Sequence, residues 1–278
     1  MVVGTKGKSW LSIGGAGVVI VALLATLLVF TPQAKAQDRN LVAFGDSIMA
    51  DPQVWSYLSP RQQREAFDQG KCPTTNNYAK QAAAKMGLPV EDFSCAGAVS
   101  MGIGKQLSWQ IDNAISRGKL TPATERVIFT SGFNDTYQNL RMDLPTIRQE
   151  WVKRTAPIVE RIKQAAPNAR IQIVGYPTIG MNGRFCLIRA GGRAWDSTPL
   201  PFVTDLEVKA QWMQVDLAAA TGTEFLDLKP ITQNRGMCGS NEDRIYAGIV
   251  DFDAGPGNLP LHVNARGHEF IGEVIANS

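Results

Sequence analysis

Short apolar runs alternate along the chain with longer stretches in which apolar residues recur every three or four positions. The runs Leu41 to Phe44, Val90 to Ser94, Arg126 to Thr130, Ile171 to Val174 and Glu224 to Leu228 predict strands. Between them, Asn77 to Met86, Lys105 to Arg117, Thr146 to Ala166 and Thr204 to Ala220 predict helices. A last helix over about Ala265 to Ile275 sets Phe270, Ile271, Val274 and Ile275 on one stripe that packs on the sheet. Alternating strands and helices imply right-handed crossovers, hence an α/β fold with a central parallel sheet covered on both faces.

Functional groups in such sheets gather at the carboxyl ends of the strands, which filters the polar residues. Gly45-Asp46-Ser47 follows the first strand, Cys95-Ala96-Gly97 the second and Gly132-Phe133-Asn134-Asp135 the third. The glycine-rich stretch Tyr176 to Pro201 follows the fourth and is too long for a simple turn, which makes it an expected pocket wall or lid.

The N-terminus changes the picture of composition. Lys6 and Lys8 precede an uncharged stretch from Ser9 to Gln33, and Ala34-Lys35-Ala36 has the small-x-small pattern read by signal peptidases. Residues 1–36 therefore read as an export signal. The alternative is an uncleaved anchor, because the uncharged stretch approaches the ~20 residues needed to span a bilayer. The strongly apolar part, Ala16 to Phe30, is shorter than that and contains glycine, which favours cleavage after Ala36. Residues 37–278 then form one domain, since no linker, charge block or repeat divides them. The formal net charge of the chain is +3. Lys6, Lys8 and Lys35 account for it, so the exported part is neutral and gives no reason to expect a nucleic-acid partner.

Four cysteines, Cys72, Cys95, Cys186 and Cys238, all lie in the exported part and form no C-x-x-C pair. An even number outside the cytoplasm argues for two disulfides rather than a metal site, and three pairings are open.

Ser47 has the address of a nucleophile. A strand that ends in glycine and turns into a helix leaves the serine on the first helical turn, where its backbone N–H is unpaired and can face an oxyanion. Asp46 or Ser47 acting only as an N-cap is the plainer reading. A serine needs a base, and the chain has two histidines, His262 and His268. Asn264 is a good N-cap for the last helix, which leaves His262 in the loop before it, free to swing to the strand ends, and His268 inside the helix in a structural role. Their spacing and the lack of an H-E-x-x-H motif argue against a metal. His262 is thus the expected general base. The Asn134 amide and the Gly97 backbone N–H join the Ser47 N–H as three donors for one developing negative oxygen.

Together, "FGDSI" after a strand, the glycine of "SCAGA", "GFND" and "HVNARGH" resemble, in order and spacing, the SGNH or GDSL hydrolases. The chain looks most like their secreted actinobacterial esterase and lipase branch. The similarity spans about residues 41 to 276, and the four cysteines sit where that branch places disulfides. The resemblance implies a flavodoxin-like three-layer α/β/α sandwich, Ser47 as nucleophile, Gly97 and Asn134 as oxyanion donors, and His262 as base. One position departs from it. The family has Asp three residues before the catalytic histidine, and here that residue is Leu259. Either a main-chain carbonyl near Leu259 orients His262, giving a Ser-His dyad, or Asp251 or Asp253 folds back to supply a carboxylate.

The expected protein is an exported, monomeric esterase or lipase of the bacterial cell envelope. It needs no cofactor or metal and acts on a small-molecule or lipid ester through an acyl-enzyme. A variant transfers the acyl group to an envelope sugar or lipid. The rival from another class, motivated by Leu259, is a non-catalytic envelope binding protein on the same fold. Trp55, Trp109, Trp195, Phe133 and Tyr137 are the expected acyl-pocket residues.

Overall fold

In the first strand, Leu41 and Ala43 face one way and Val42 and Phe44 the other, and all four are fully buried. A strand apolar on both sides belongs in the middle of a covered sheet. The computed structural model describes residues 1–4, 7 and 39–278. The apolar stretch of the expected export signal and its cleavage site at Ala36 lie outside the described residues.

The central sheet contains β1 (Leu41–Gly45), β2 (Val90–Asp92), β3 (Arg126–Thr130), β4 (Arg170–Val174) and β5 (Glu224–Leu226) in the order β5-β4-β3-β1-β2. Every pairing is parallel, and β1 lies against β3 from Leu41 opposite Arg126 to Gly45 opposite Thr130. The helices are α1 (Ser47–Ala50), α2 (Val54–Leu58), α3 (Pro60–Asp68), α4 (Tyr78–Met86), α5 (Leu107–Ser116), α6 (Phe133–Gln138), α7 (Leu144–Ala165), α8 (Pro201–Thr221), α9 (Lys229–Thr232) and α10 (Ala265–Ala276). On one face of the sheet, Val42, Phe44, Val127 and Phe129 pack against α5, α7 and α8. On the other, Leu41, Ala43, Ile128 and Val174 meet α1, α4 and α10. This is the expected three-layer α/β/α sandwich, and Asp38–Ser278 is one compact unit.

Two strands are shorter than the apolar pattern suggests, and for the same reason. Asp92 accepts hydrogen bonds from the N–H and hydroxyl of Ser94, and Asp227 accepts one from the Lys229 N–H. Each aspartate closes a local turn at its strand's end, although past Asp92 the Cys95 N–H still donates to the Gly45 carbonyl at 2.9 Å. Helices α2 and α3 were not marked by periodicity. Pro60 opens α3 behind Ser59, which caps it.

The disulfides join Cys72 to Cys95 and Cys186 to Cys238. The stretch from Tyr176 to Pro201 folds into short ribbons, Arg184–Phe185 with Thr198–Pro199 and Ile188–Ala190 with Arg193–Ala194. Val250–Asp251 adds to the second ribbon. Among the described residues no helix is long and apolar enough to cross a membrane.

Candidate active site

The site is built at the carboxyl ends of β1, β2 and β3. Gly45 closes β1 where only hydrogen fits: a Cβ there would lie 2.6 Å from the Thr130 carbonyl oxygen. The buried Gln110 side chain clamps this residue from α5, accepting from the Gly45 N–H at 2.9 Å and donating to its carbonyl at 2.8 Å. Asp46 then caps α1 by accepting from the Ile48 N–H at 3.0 Å. The capping role thus falls to Asp46. The Ser47 N–H has no hydrogen-bond partner among the described residues, as expected at the start of a helix.

Asp46 also fixes the next element. Its second carboxylate oxygen accepts from the Tyr176 hydroxyl, and that hydroxyl accepts from the Phe133 N–H at 2.9 Å. Because α6 begins at Phe133 with no side-chain cap of its own, Tyr176 ties the Ser47 turn to the helix that carries Asn134. Burial pushes the Asp46 carboxyl up to about 7 against the lowering effect of these hydrogen bonds. One residue past Asn134, buried Asp135 accepts from the Ser100 and Met101 N–H groups at 2.9 and 2.6 Å and from the Trp151 indole at 3.1 Å. The loop after Gly97 is thereby pinned to α6. Burial raises the Asp135 carboxyl as well.

Asn134 donates one amide hydrogen to the Ala98 carbonyl at 2.9 Å and accepts from the Tyr137 hydroxyl at 3.0 Å. Its second N–H is left for a ligand. Gly97 has φ +81°, a conformation that favours glycine, and its N–H has no partner among the described residues. Ser47, Gly97, Asn134 and His262 all line one cavity of about 460 Å3.

His262 arrives from the loop before α10. Its Nδ1 is 2.8 Å from the Pro260 carbonyl oxygen. A carbonyl only accepts, so Nδ1 carries the proton and Nε2 presents a lone pair, the form a general base requires. Nε2 is buried and has no hydrogen-bond partner among the described residues. Burial lowers the His262 pKa below its ordinary value. Leu261 makes the turn possible with φ +60°, the left-handed region rarely occupied by a leucine.

This geometry corrects the expected orienting groups. The carbonyl belongs to Pro260, one residue beyond Leu259, whose own carbonyl accepts from the Asn258 amide. Asp251 does not fold back to His262. It is buried in a two-pronged ion pair with Arg244 at 2.6 and 2.9 Å and accepts from the Gly248 N–H. Asp253 accepts from the Gly192 N–H, on another loop. His268 is buried between α4 and α10, where its Nδ1 accepts from the Tyr78 N–H at 3.2 Å.

Around the four residues, the cavity wall is apolar and aromatic: Ile48, Tyr57, Phe133, Tyr137 and Tyr246, with Leu259 to Leu261 at the histidine side. Phe133 and Tyr137 are where the sequence places them. Trp55, Trp109 and Trp195 do not line the cavity; Trp109 stacks on Phe67, with ring centroids 4.7 Å apart. Nor do residues 177–201, so the expected lid is a separate ribbon layer. Sequence reasoning missed Tyr57, Tyr246 and the clamp residues Tyr176 and Gln110. Tyr176 was within reach, since it follows β4 on the same sheet edge.

A parallel sandwich with a serine turn, a glycine and an asparagine at adjacent strand ends defines an SGNH-type hydrolase. The profile of the GDSL-like Lipase/Acylhydrolase family matches residues 43–270, and the chain belongs to that family. It is a carboxylic ester hydrolase. Among solved structures it is similar to a phospholipase A1 from Streptomyces albidoflavus, with a TM-score of 0.57 and 18% identity over 87% of this chain and 99% of that one. It is also similar to an extracellular lipase from Streptomyces rimosus, with a TM-score of 0.55 and 17% identity over 86% and 98% of the two chains. A carbohydrate esterase with a carbohydrate-binding domain from Corynascus thermopiles gives 0.52 and 16% identity over 88% and 67%. At these identities the likeness is one of fold. None of the curated proteins matches the sequence.

Proposed function

We propose that the chain is an exported serine esterase or lipase working through a Ser47–His262 dyad. The observation that carries this reading is His262, held by Pro260 in the base tautomer with Nε2 unpartnered in the cavity that Ser47 also lines. Nε2 takes the proton from Ser47 Oγ as Oγ bonds to the ester carbonyl carbon. The oxygen that becomes negative is met by the Ser47 and Gly97 N–H groups and the free Asn134 N–H. His262 then gives its proton to the departing alcohol, leaving the acyl group on Ser47. Water, deprotonated by the same nitrogen, releases the acid and restores the serine. The apolar wall receives the acyl chain.

A fluorophosphonate probe tests the dyad. Stoichiometric labelling at Ser47 that disappears in Ser47→Ala supports it; an unlabelled wild-type protein overturns it. Two disulfides support folding outside the cytoplasm, with residues 37–278 as the mature monomeric domain. An intact mass of the exported protein beginning at Gln37 is the expected result, and a mass retaining residue 1 restores the anchor.

A further inference from the structure

Ser47 opens α1, a single helical turn, and His262 stands three residues before α10. One turn of helix has little stability of its own, so the placement of Ser47 depends on what holds the far end of α1. That end is Asp51. Its N–H donates to the Ser47 carbonyl at 2.9 Å, and its φ of +41° turns the chain away from the helix. The Asp51 carboxylate is buried and reaches α10, where Oδ2 lies 3.1 Å from His268 Nε2. Among the described residues no other hydrogen bond or ion pair joins residues 45–51 to residues 259–276.

Both partners are held from the start of α4. The Thr75 hydroxyl donates to Asp51 Oδ2 at 3.0 Å, and the Thr75 N–H donates to the Ala50 carbonyl at 3.3 Å. Three residues on, the Tyr78 N–H donates to His268 Nδ1 at 3.2 Å. An accepting Nδ1 leaves the ring proton on Nε2, directed at Asp51. Helix α10 is itself pressed onto α4, since a Cβ at Gly272 would lie 2.9 Å from Gln81 Cβ. His268 is thus a fixed point one turn into α10, its N–H bonded at 3.0 Å to the carbonyl of Asn264, two residues after His262. Neither Asp51 nor His268 lines the cavity that Ser47 and His262 share, so neither meets the ester.

We propose that Asp51 and His268 are positioning residues, a buried strut that sets the separation of Ser47 Oγ and His262 Nε2. The proposal rests on the Ser47–His262 reading and supplies the tie between its two members. Proton transfer tolerates little misplacement, and an error of about 1 Å can cost about 10²-fold in rate. A loosened strut therefore slows the chemistry while the apolar wall still binds the ester. The Asp51 charge also reaches His262, where it opposes the lowering of the ring's pKa by burial. Substitution at Asp51 separates position from charge.

Hydrolysis of nitrophenyl butyrate is the readout. Asp51→Gly removes the carboxylate without straining a left-handed residue, and His268→Met removes the contact from α10. Each should lower kcat about tenfold with KM within about twofold of wild type, and the double variant should lose no more than either alone. Asp51→Asn keeps an acceptor for His268 and Thr75, tolerates the backbone angle and has no charge; it should bring kcat back to within about threefold of wild type. An unchanged kcat in Asp51→Gly, a loss confined to KM, or an Asn variant as slow as the Gly variant overturns the strut, the last in favour of charge. Should Asp51→Gly fail to fold, a slow His268→Met beside a near-normal Asp51→Asn supports the strut, and any other ordering overturns it. If Ser47→Ala or His262→Ala hydrolyses the ester like the wild type, the dyad reading has failed and the strut falls with it.

Discussion

The two halves of the cavity that Ser47 and His262 share are held in different ways. On the serine side, contacts distant in sequence converge: Gln110 on Gly45, Tyr176 on Asp46 and Phe133, and Asp135 on Ser100, Met101 and Trp151. On the histidine side, His262 is oriented by a carbonyl only two residues away, in a loop that turns through a left-handed leucine. The serine side is part of the core, and its geometry is inseparable from folding. The histidine side is a local turn tied by the Ala247 N–H to the His262 carbonyl at 2.8 Å and by the Leu261 N–H to the Gly248 carbonyl at 3.1 Å. In the proposed dyad, catalysis joins a half fixed by the core to a half whose path is set by a few backbone angles.

The largest test of this contrast is the pair Ser47→Ala and His262→Ala, each expected to lower kcat by on the order of 10⁴-fold with the melting temperature nearly unchanged. A loss under about tenfold for His262→Ala would remove it from the reaction. Next comes Arg244→Met, which strands a buried carboxylate and should cost about 3–5 kcal/mol in denaturant unfolding, whereas Asp253→Asn should leave both stability and turnover intact. A large loss of turnover in Asp253→Asn would restore a carboxylate to the dyad.

Asp46 gives a pH signature confined to the serine side. Its folded pKa is about 7, against an ordinary 3.8, so between those values the folded protein holds a proton that the unfolded chain has released. Stability should therefore fall as pH rises from about 4 to about 7 and level off above, by on the order of 1.4 kcal/mol per pH unit at most. Thermal unfolding of Asp46→Asn should show that slope flattened; an unchanged slope would place its origin elsewhere. Tyr176→Phe breaks the link between the serine turn and α6, and kcat should drop about tenfold with KM nearly constant. The smallest effect is in the wild type. Since burial lowers the His262 pKa, the acid limb of kcat/KM should lie below pH 6.5, and a limb above that value would contradict the buried base.

The fold was legible because its apolar periods are strong: β3 appears at its predicted bounds, and α10 buries Ile271 and Ile275 as its stripe requires. The four expected site residues share one cavity because the strand-end rule is a rule about parallel sheets, independent of side-chain detail. What the sequence could not reveal depends on distance across the fold. Tyr57 and Tyr246 reach the cavity from short segments without periodicity, and Gln110 looks like any helix glutamine until Gly45 is opposite it. Asp251 looked like a triad candidate by proximity in sequence; only its contact with Arg244 shows where its charge is used.

The acceptor for His262 is an oxygen of the main chain, and that has a consequence for how this enzyme can vary. A triad aspartate disappears with one base change. The Pro260 carbonyl is present whatever residue occupies position 260, so no single replacement deletes it. Drift at this half of the site must instead act through the course of the loop, at Gly257 and Leu261. Inactive descendants should accumulate changes there or at His262 itself, rather than at an orienting side chain.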